Sequence, residues 1–516
     1  METRQRDSEV YGDLDDQRRR DQEFLARFGY KQELDRSLGF FSTFAIAFGF
    51  VSATNGFFAL FYYALDVGGP AGVFWTWPVV VLGQLMVALT FAEAASHYPL
   101  AGGVYQWAKH LMGGSYSWLV AWMFLFALLV TVAGVAFGAA PIVCSLLGWE
   151  ATRWTLFRVA LFFSLLPMVL NIWGVRIMAF INNIGTVAEM VGMTGLGLVL
   201  LAVVMFANHT HAGIGVLVDT AGTGAGHSWG YVGAFLAAMI TPVWVMYGFD
   251  TAGALAEETL NPSKEVPRAI IAGVLITAVV STIWLLGILL AIPNVKQAIA
   301  QGPRVLPWLL HYHLPFVVAD GFLVVVLTAI FICSLSVQAS ATRLLFALSR
   351  DGMIPDNRYL SAVSARTRTP VRAAVSVAVF AVGVLLFQDQ LSSVIAWATA
   401  GVYVVYQMVV FATMHARAHG WPSTKAAFSL GRWGWAVNVL AFAYGISMIC
   451  NLAWPRSPGR PWYDNYLVLY SLAIIAASGL VVAAVMRAKG ADLSGGLQDL
   501  GPTAPVAPSG KNETEP

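Results

Sequence analysis

Thr241-Pro-Val-Trp-Val-Met-Tyr-Gly-Phe-Asp-Thr-Ala-Gly253 lies inside an apolar run long enough to enter a bilayer, yet carries Pro242, Gly248 and Asp250 at its middle. Pro242 has no N–H to give a helix, and Gly248 costs backbone entropy. Asp250 brings a charge that the membrane centre opposes by about 2.5–3.5 kcal/mol on insertion scales. A second stretch, Phe48-Gly-Phe-Val-Ser-Ala-Thr-Asn-Gly56, has the same small and polar character within an apolar run. Backbone freed from a helix is tolerated at such depth only where it faces protein or a wet cavity. The pair therefore predicts two interrupted helices around a buried site.

The rest of the chain agrees with a bilayer. Of 516 residues 58% are hydrophobic and only 11% charged, where soluble proteins carry roughly a quarter of their residues as charges. Too little polar surface remains to cover a soluble particle of this size. Apolar runs of about 20 residues occur near 38–64, 71–95, 116–147, 155–173, 184–207 and 231–258, then near 267–292, 316–349, 371–387, 391–414, 433–453 and 464–487. With the N-terminus placed inside, alternating loops put 24 of the 30 Lys and Arg residues on the inner side and six on the outer. That bias predicts a multi-pass protein of the cell (plasma or inner) membrane with both termini cytosolic. Residues 1–37 are dense in both signs of charge and read as a cytosolic, partly helical tail; residues 488–516 are rich in Gly, Pro and Ser and read as a disordered cytosolic tail.

The two interruptions fall in spans one and six, corresponding positions of two five-helix repeats (about 38–207 and 231–414), with accessory helices at about 433–487. Paired broken helices mark a midplane site in inverted-repeat transporters. A half-helix N-terminus offers free N–H groups to a carboxylate, and unwound carbonyls suit an ammonium group. Asp250 is a candidate to hold an amine or accept a proton, or else the N-cap of the inner half-helix. Glu189, in Thr186-Val-Ala-Glu-Met-Val-Gly192, is the other isolated intramembrane acid: a proton-coupling candidate, or otherwise a structural hydrogen-bonding group. Glu93 closes span two and suits a gate or a cap.

At these residues the chain resembles a family. Phe91-Ala-Glu-Ala-Ala-Ser-His-Tyr-Pro-Leu-Ala-Gly-Gly-Val-Tyr-Gln-Trp107 is similar to the signature after helix two of the amino acid–polyamine–organocation superfamily. Tyr247-Gly-Phe-Asp-Thr and Glu257-Glu-Thr-Leu-Asn-Pro-Ser-Lys-Glu-Val-Pro-Arg-Ala-Ile270 resemble its helix six and following loop. Gly29-Tyr-Lys-Gln-Glu-Leu-Asp-Arg-Ser37 narrows the likeness to the amino acid/choline branch, which includes GABA and choline permeases. The resemblance covers about residues 29–490. It implies an all-α fold of about 12 transmembrane helices, a five-plus-five inverted-repeat core with broken helices one and six, and two further helices. It implies alternating access to a site between spans one, three, six and eight. Carried over by position, Ser52, Ala53, Thr54, Asn55 and Gly56 would bind a substrate carboxylate. Trp244 and the run Tyr247, Gly248, Phe249 and Asp250 would line the amine side. Glu257, Glu258, Lys264 and Arg268 belong to an inner loop whose mixed charge would lock a gate.

The expected function is a secondary transporter for an amino acid or a related amine such as GABA, proton-coupled, with sodium coupling left open. A choline-type quaternary amine or polyamine is the alternative substrate, held by cation–π contacts from Phe48, Phe50, Trp244, Tyr247 and Phe249; a substrate exchanger or facilitator without ion coupling is the alternative mode. A channel would want a ring of charges, and the intramembrane acids are scattered. No GxxxxGK[ST] pattern is present, and no enzyme-like cluster of His or paired carboxylates stands at one depth. No cofactor, metal or nucleic-acid partner is expected. Cys144 and Cys450 both fall near predicted outer ends, which makes a bridge between them conceivable, whereas Cys333 reads as a small core residue. Asn208-His-Thr210 matches a glycosylation acceptor.

Overall fold

The structure, a computed structural model, describes residues 16–206, 213–227, 229–354, 357–387, 391–456 and 461–493. Asn208, His209, Thr210 and His211 lie outside the described residues. A helix over residues 16–26 (α1) precedes α2 (Phe40–Val51), α3 (Ala53–His97), α4 (Val104–Met112), α5 (Gly114–Leu147), α6 (Arg153–Trp173) and α7 (Val175–Phe206). After a loop come α8 (Tyr231–Ala238), α9 (Ile240–Val245), α10 (Thr251–Ala254), α11 (Pro262–Leu290), α12 (Val295–Ala300), α13 (Val305–His313) and α14 (Phe316–Arg350). The remainder forms α15 (Asn357–Leu360), α16 (Val371–Phe387), α17 (Leu391–Ala418), α18 (Gly434–Ala453), α19 (Trp462–Asn465) and α20 (Leu467–Ala488).

Among the described residues, nine helical stretches are long and apolar enough to cross a membrane. The first of them, Phe40–His97, is 58 residues long and is broken at Gly69 (φ 63, ψ −178), directly before Pro70. It therefore supplies spans one and two. Gly69 is obligatory there: a β-carbon would meet the Thr220 carbonyl at 2.6 Å, because the loop around Asp219 folds over this turn and takes the Ala71 N–H at 3.0 Å. Two shorter apolar stretches, Tyr231–Val245 and Val371–Leu386, stand at spans six and nine. The whole is an all-helical membrane protein of about twelve crossings.

Burial grades the helices from centre to rim. In α5 83% of the most apolar window is buried, in α20 only 22%, so α5 runs through the middle and α20 lies on the outside. Phe180, Val191, Phe380 and Val481 all stand out bare from their helices, a belt of apolar surface that water would not tolerate and lipid requires. The described parts of both termini reach one face, called here the terminal face. Leu38 pairs with Thr259 in an isolated parallel bridge, and Arg487 at the end of α20 donates to Ser115 Oγ at 2.7 Å. Cys144 is buried and Cys450 exposed, and both are free thiols; the bridge conceivable from sequence is not formed.

Candidate functional site

Span one breaks at a single residue. α2 ends at Val51, Ser52 takes φ 28 and ψ 81, and α3 resumes at Ala53. The interruption is thus narrower than the Ser52–Gly56 stretch read from sequence: Ala53, Thr54, Asn55 and Gly56 form the first turn of the outer half-helix. That turn carries N–H groups without carbonyl partners and positive partial charge. Glu189 of α7 fills the place of a capping side chain. Its Oε1 accepts from Ser52 Oγ at 3.0 Å and from the Thr54 N–H at 3.3 Å, and the residue has no exposed surface. Glu189 Oε2 and Thr54 Oγ1 are both buried without a protein partner. On the other side of the break, the Cys333 thiol of α14 donates to the Phe50 carbonyl at 3.3 Å, while Asn55 Nδ2 reaches Cys333 Sγ at 3.8 Å. Cys333 is a core residue, but one placed on the break.

Span six opens more widely. α9 ends at Val245, α10 begins at Thr251, and Gly248 between them has φ 103. Tyr406 of α17 holds this break: its hydroxyl accepts the Gly248 N–H at 2.9 Å and donates to Asp250 Oδ1. Asp250 occupies the N-cap position of α10, yet its side chain makes no capping bond. The carboxylate is turned to Tyr406 instead.

The two breaks lie against each other. A β-carbon on Gly248 would come within 2.2 Å of the Phe50 ring, and one on Gly56 within 2.3 Å of Val245 Cγ2. Tyr247 stands edge-on to both Phe50 (centroids 6.0 Å apart) and Trp244 (5.5 Å), with its hydroxyl 3.3 Å from Thr131 Oγ1 of α5. Phe249 points the other way, into a cluster with Phe91 and Tyr406. Ser52, Ala53, Thr54, Asn55, Gly56, Trp244, Tyr247, Gly248, Phe249 and Asp250 are all buried. The conformation described is closed around them.

Toward the terminal face a layer of buried ion pairs seals the bundle. Arg350 binds Glu257 through Nη1 and Nη2, each at 2.9 Å, and the Ala101 N–H donates to Glu257 at 3.0 Å. Arg343 grips Glu258 at 2.9 and 3.1 Å. Glu93 pairs with Arg417 and accepts the Leu430 N–H at 2.9 Å, joining span two to the entry of α18. Lys264 and Arg268 are exposed and stand outside this layer; Arg268 pairs with neighbouring Glu265 and lies over Phe40. The reason is local. Lys264 and Arg268, four residues apart on α11, share its exposed face, whereas Arg343 and Arg350, two turns apart on α14, share an inward one.

The segment before span one is part of the same layer. Ser37 and Leu38 N–H groups both donate to the Glu258 carbonyl at 2.9 Å, and Gln32 Nε2 donates to the Glu257 carbonyl at 3.0 Å. Tyr30 donates to Asp351 at 3.0 Å, receives Lys109 Nζ at 2.9 Å, and lies under the Arg350 guanidinium at 4.0 Å. Burial pulls the Lys109 ammonium below its ordinary range, opposed by Asp351 at 2.6 Å.

Tyr406, Arg343, Arg350 and Tyr30 were not picked out as site residues from sequence. Tyr406 had a signal, since Tyr403-Val-Val-Tyr-Gln407 puts three polar side chains into an apolar span. Arg343 had another, an arginine six residues inside the apolar run ending near 349.

The profile of the family described as Amino acid permease matches residues 38–478. Amino-acid permease BAT1 of Arabidopsis thaliana is 25% identical over 456 residues, 82% of this chain and 86% of its own length. The BAT1 homolog of Oryza sativa subsp. japonica is 26% identical, with 84% and 87% covered. Amino-acid permease 2 of Neurospora crassa is 27% identical, with 88% and 85% covered. With a match that starts at the first span and ends within the twelfth, and that takes in both breaks and the ion-paired loop, the chain belongs to the amino acid permease family, of transporters and not enzymes.

Proposed function

We propose that the chain is a secondary transporter that carries an amino acid or a related amine such as GABA across the plasma or inner membrane by alternating access, driven by protons. The observation that carries this reading is the contact of two broken helices, each holding one buried carboxyl group at its break, Glu189 for span one and Asp250 for span six. The first turn of α3, from Ser52 to Gly56, takes the substrate's carboxylate. Asp250, with Tyr247, Gly248, Phe249 and Trp244 around it, takes the amine. Glu189 is the coupling group. The terminal face is the cytosolic one, and both ends of the chain lie there. Glu93, Glu257 and Glu258 with their arginines form the inner gate, and Lys264 and Arg268 sit on its rim. The two halves of the bundle, about 38–207 and 231–414, act as inverted repeats.

Uptake into proteoliposomes tests the reading. Labelled GABA, alanine or another amino acid should enter saturably, be competed by unlabelled solute, and accumulate when the lumen is alkaline. A non-saturating conductance in its place refutes it. A second reading, a quaternary amine such as choline, is favoured by the edge-on cluster of Phe50, Tyr247 and Trp244, whose ring faces suit a cation without a carboxylate. Choline uptake with no amino-acid competition would select it.

A further inference from the structure

We infer that Glu189 and the substrate's carboxylate compete for the first turn of α3, so that a proton is taken up with carboxylated substrates and not with carboxylate-free amines. This rests on the transporter reading above and specifies how its coupling works.

The site for an anion at this break is already in use. Glu189 Oε1 holds the Thr54 N–H and the Ser52 hydroxyl. The same place has unfilled hydrogen-bond capacity, since Glu189 Oε2 and Thr54 Oγ1 are buried and unpartnered. A buried polar atom left alone is costly, so the pair is poised to take up a further polar group.

No cation helps. Among the described residues, no ion pair to Glu189 is formed by Lys, Arg or His. The titratable side chain facing it from α14 is Cys333, whose thiol is given to Phe50. The charged residues of α6, α7 and α11 other than Glu189 itself (Arg153, Arg158, Arg176, Lys264, Glu265 and Arg268) sit near the starts of those helices, and α2 has none. Asp250 faces Tyr406 on the other break. The helix end, worth roughly half a positive charge, is thus the positive element at Glu189.

One carboxylate suits such a terminus; two do not. A second carboxylate in a dry site forces one of the pair to bind a proton. On arrival of a carboxylated substrate, Glu189 takes one proton from solvent. Its new O–H on Oε2 donates to the substrate carboxylate, which stays anionic and accepts from the α3 turn and from Thr54 Oγ1. One proton is bound per substrate, and no covalent bond other than that O–H changes. An amine without a carboxylate goes to Asp250, leaves Glu189 on its helix end, and takes up none.

The test is equilibrium binding by the purified full-length protein in weakly buffered detergent at pH 7.5, with a pH-indicator dye. The probes are GABA and alanine against 4-amino-1-butanol and choline, with binding followed by thermal shift. The expected result is about one proton per bound GABA or alanine and none for the amines; in Glu189→Gln, any ligand that binds takes up none. Equal uptake with and without a carboxylate, or unchanged uptake in Glu189→Gln, overturns the inference alone. Binding by none of the probes instead defeats the transporter reading. Should Glu189→Gln fail to fold, the GABA and 4-amino-1-butanol pair on the unaltered protein still decides.

Discussion

Gly248 rests on the ring of Phe50, so closely that a β-carbon would lie 2.2 Å from Phe50 Cδ2, and it does so with φ 103. The break of span six is therefore held in shape by the residue next to the break of span one. Gly248→Ala should overpack that contact and strain the backbone, each at about 1–3 kcal/mol. Thermal melting in detergent should show a drop of several degrees, against little change for Gly321→Ala, where the added methyl meets no atom within 4 Å. Gly248→Ala with Phe50→Ala should recover the overpacking part only. An unaltered melting curve for the single variant would show that the two breaks do not constrain each other.

Tyr406 serves the second break as Glu189 serves the first, from spans ten and five. Tyr406→Phe keeps the ring against Phe91 and Phe249 but removes both bonds of the hydroxyl. Asp250 and the Gly248 N–H are then left unpaired at about 1–3 kcal/mol each. Under the proposed function, apparent KM for an amine-bearing substrate should change about tenfold while expression stays normal, and Asp250→Asn should raise it further. The same KM in both variants and the parent would remove Asp250 from the binding site.

The number of spans was legible because each is a simple apolar run, and the break of span six because Pro242, Gly248 and Asp250 announce it locally. The break of span one was read too wide. Thr54, Asn55 and Gly56 are poor helix formers in isolation, yet packing of Gly56 on Val245 returns them to a helix after one residue. Glu189 could be seen as an isolated acid, but its bonds to Ser52 and Thr54 join residues 137 and 135 positions apart, which no local pattern encodes. The docking of the charged segment before span one is non-local in the same way. Solvated and ion-paired charges look alike in sequence, and only the meeting with Glu257, Asp351 and Arg350 makes Tyr30 and Gln32 part of the ion-paired layer.

The pair of Glu257 and Arg350 allows a double-mutant cycle. Arg350→Ala strands a carboxylate that has no exposed surface, a loss of about 3–5 kcal/mol. Glu257→Gln with Arg350→Met removes both charges and should lose far less. Melting temperatures of the parent, Arg350→Met, Glu257→Gln and the double variant measure the coupling. If Arg350→Ala alone melts like the parent, the pair does not hold this layer together.

His110 on α4 supplies the pH-dependent element of the same layer. Its ring stacks on Tyr98 at 4.9 Å, meets the edge of Phe28 at 5.3 Å, and donates through Nδ1 to the Gln106 carbonyl at 2.9 Å. Burial pushes its pKa down to about 4 from 6.5; Lys109 pushes the same way, and the Gln106 bond and Asp351 oppose. A depressed base binds its proton first in the unfolded state, so its contribution is intact above about pH 6.5 and is lost progressively as pH falls from there toward 4. Melting temperature should therefore fall between pH 7 and pH 5 in the parent protein. It should fall less in His110→Gln, which cannot be protonated, and the difference should be greatest at the acid end. Identical pH profiles for the two proteins would mean that His110 is protonated equally in both states and that Phe28 docks on it without regard to charge.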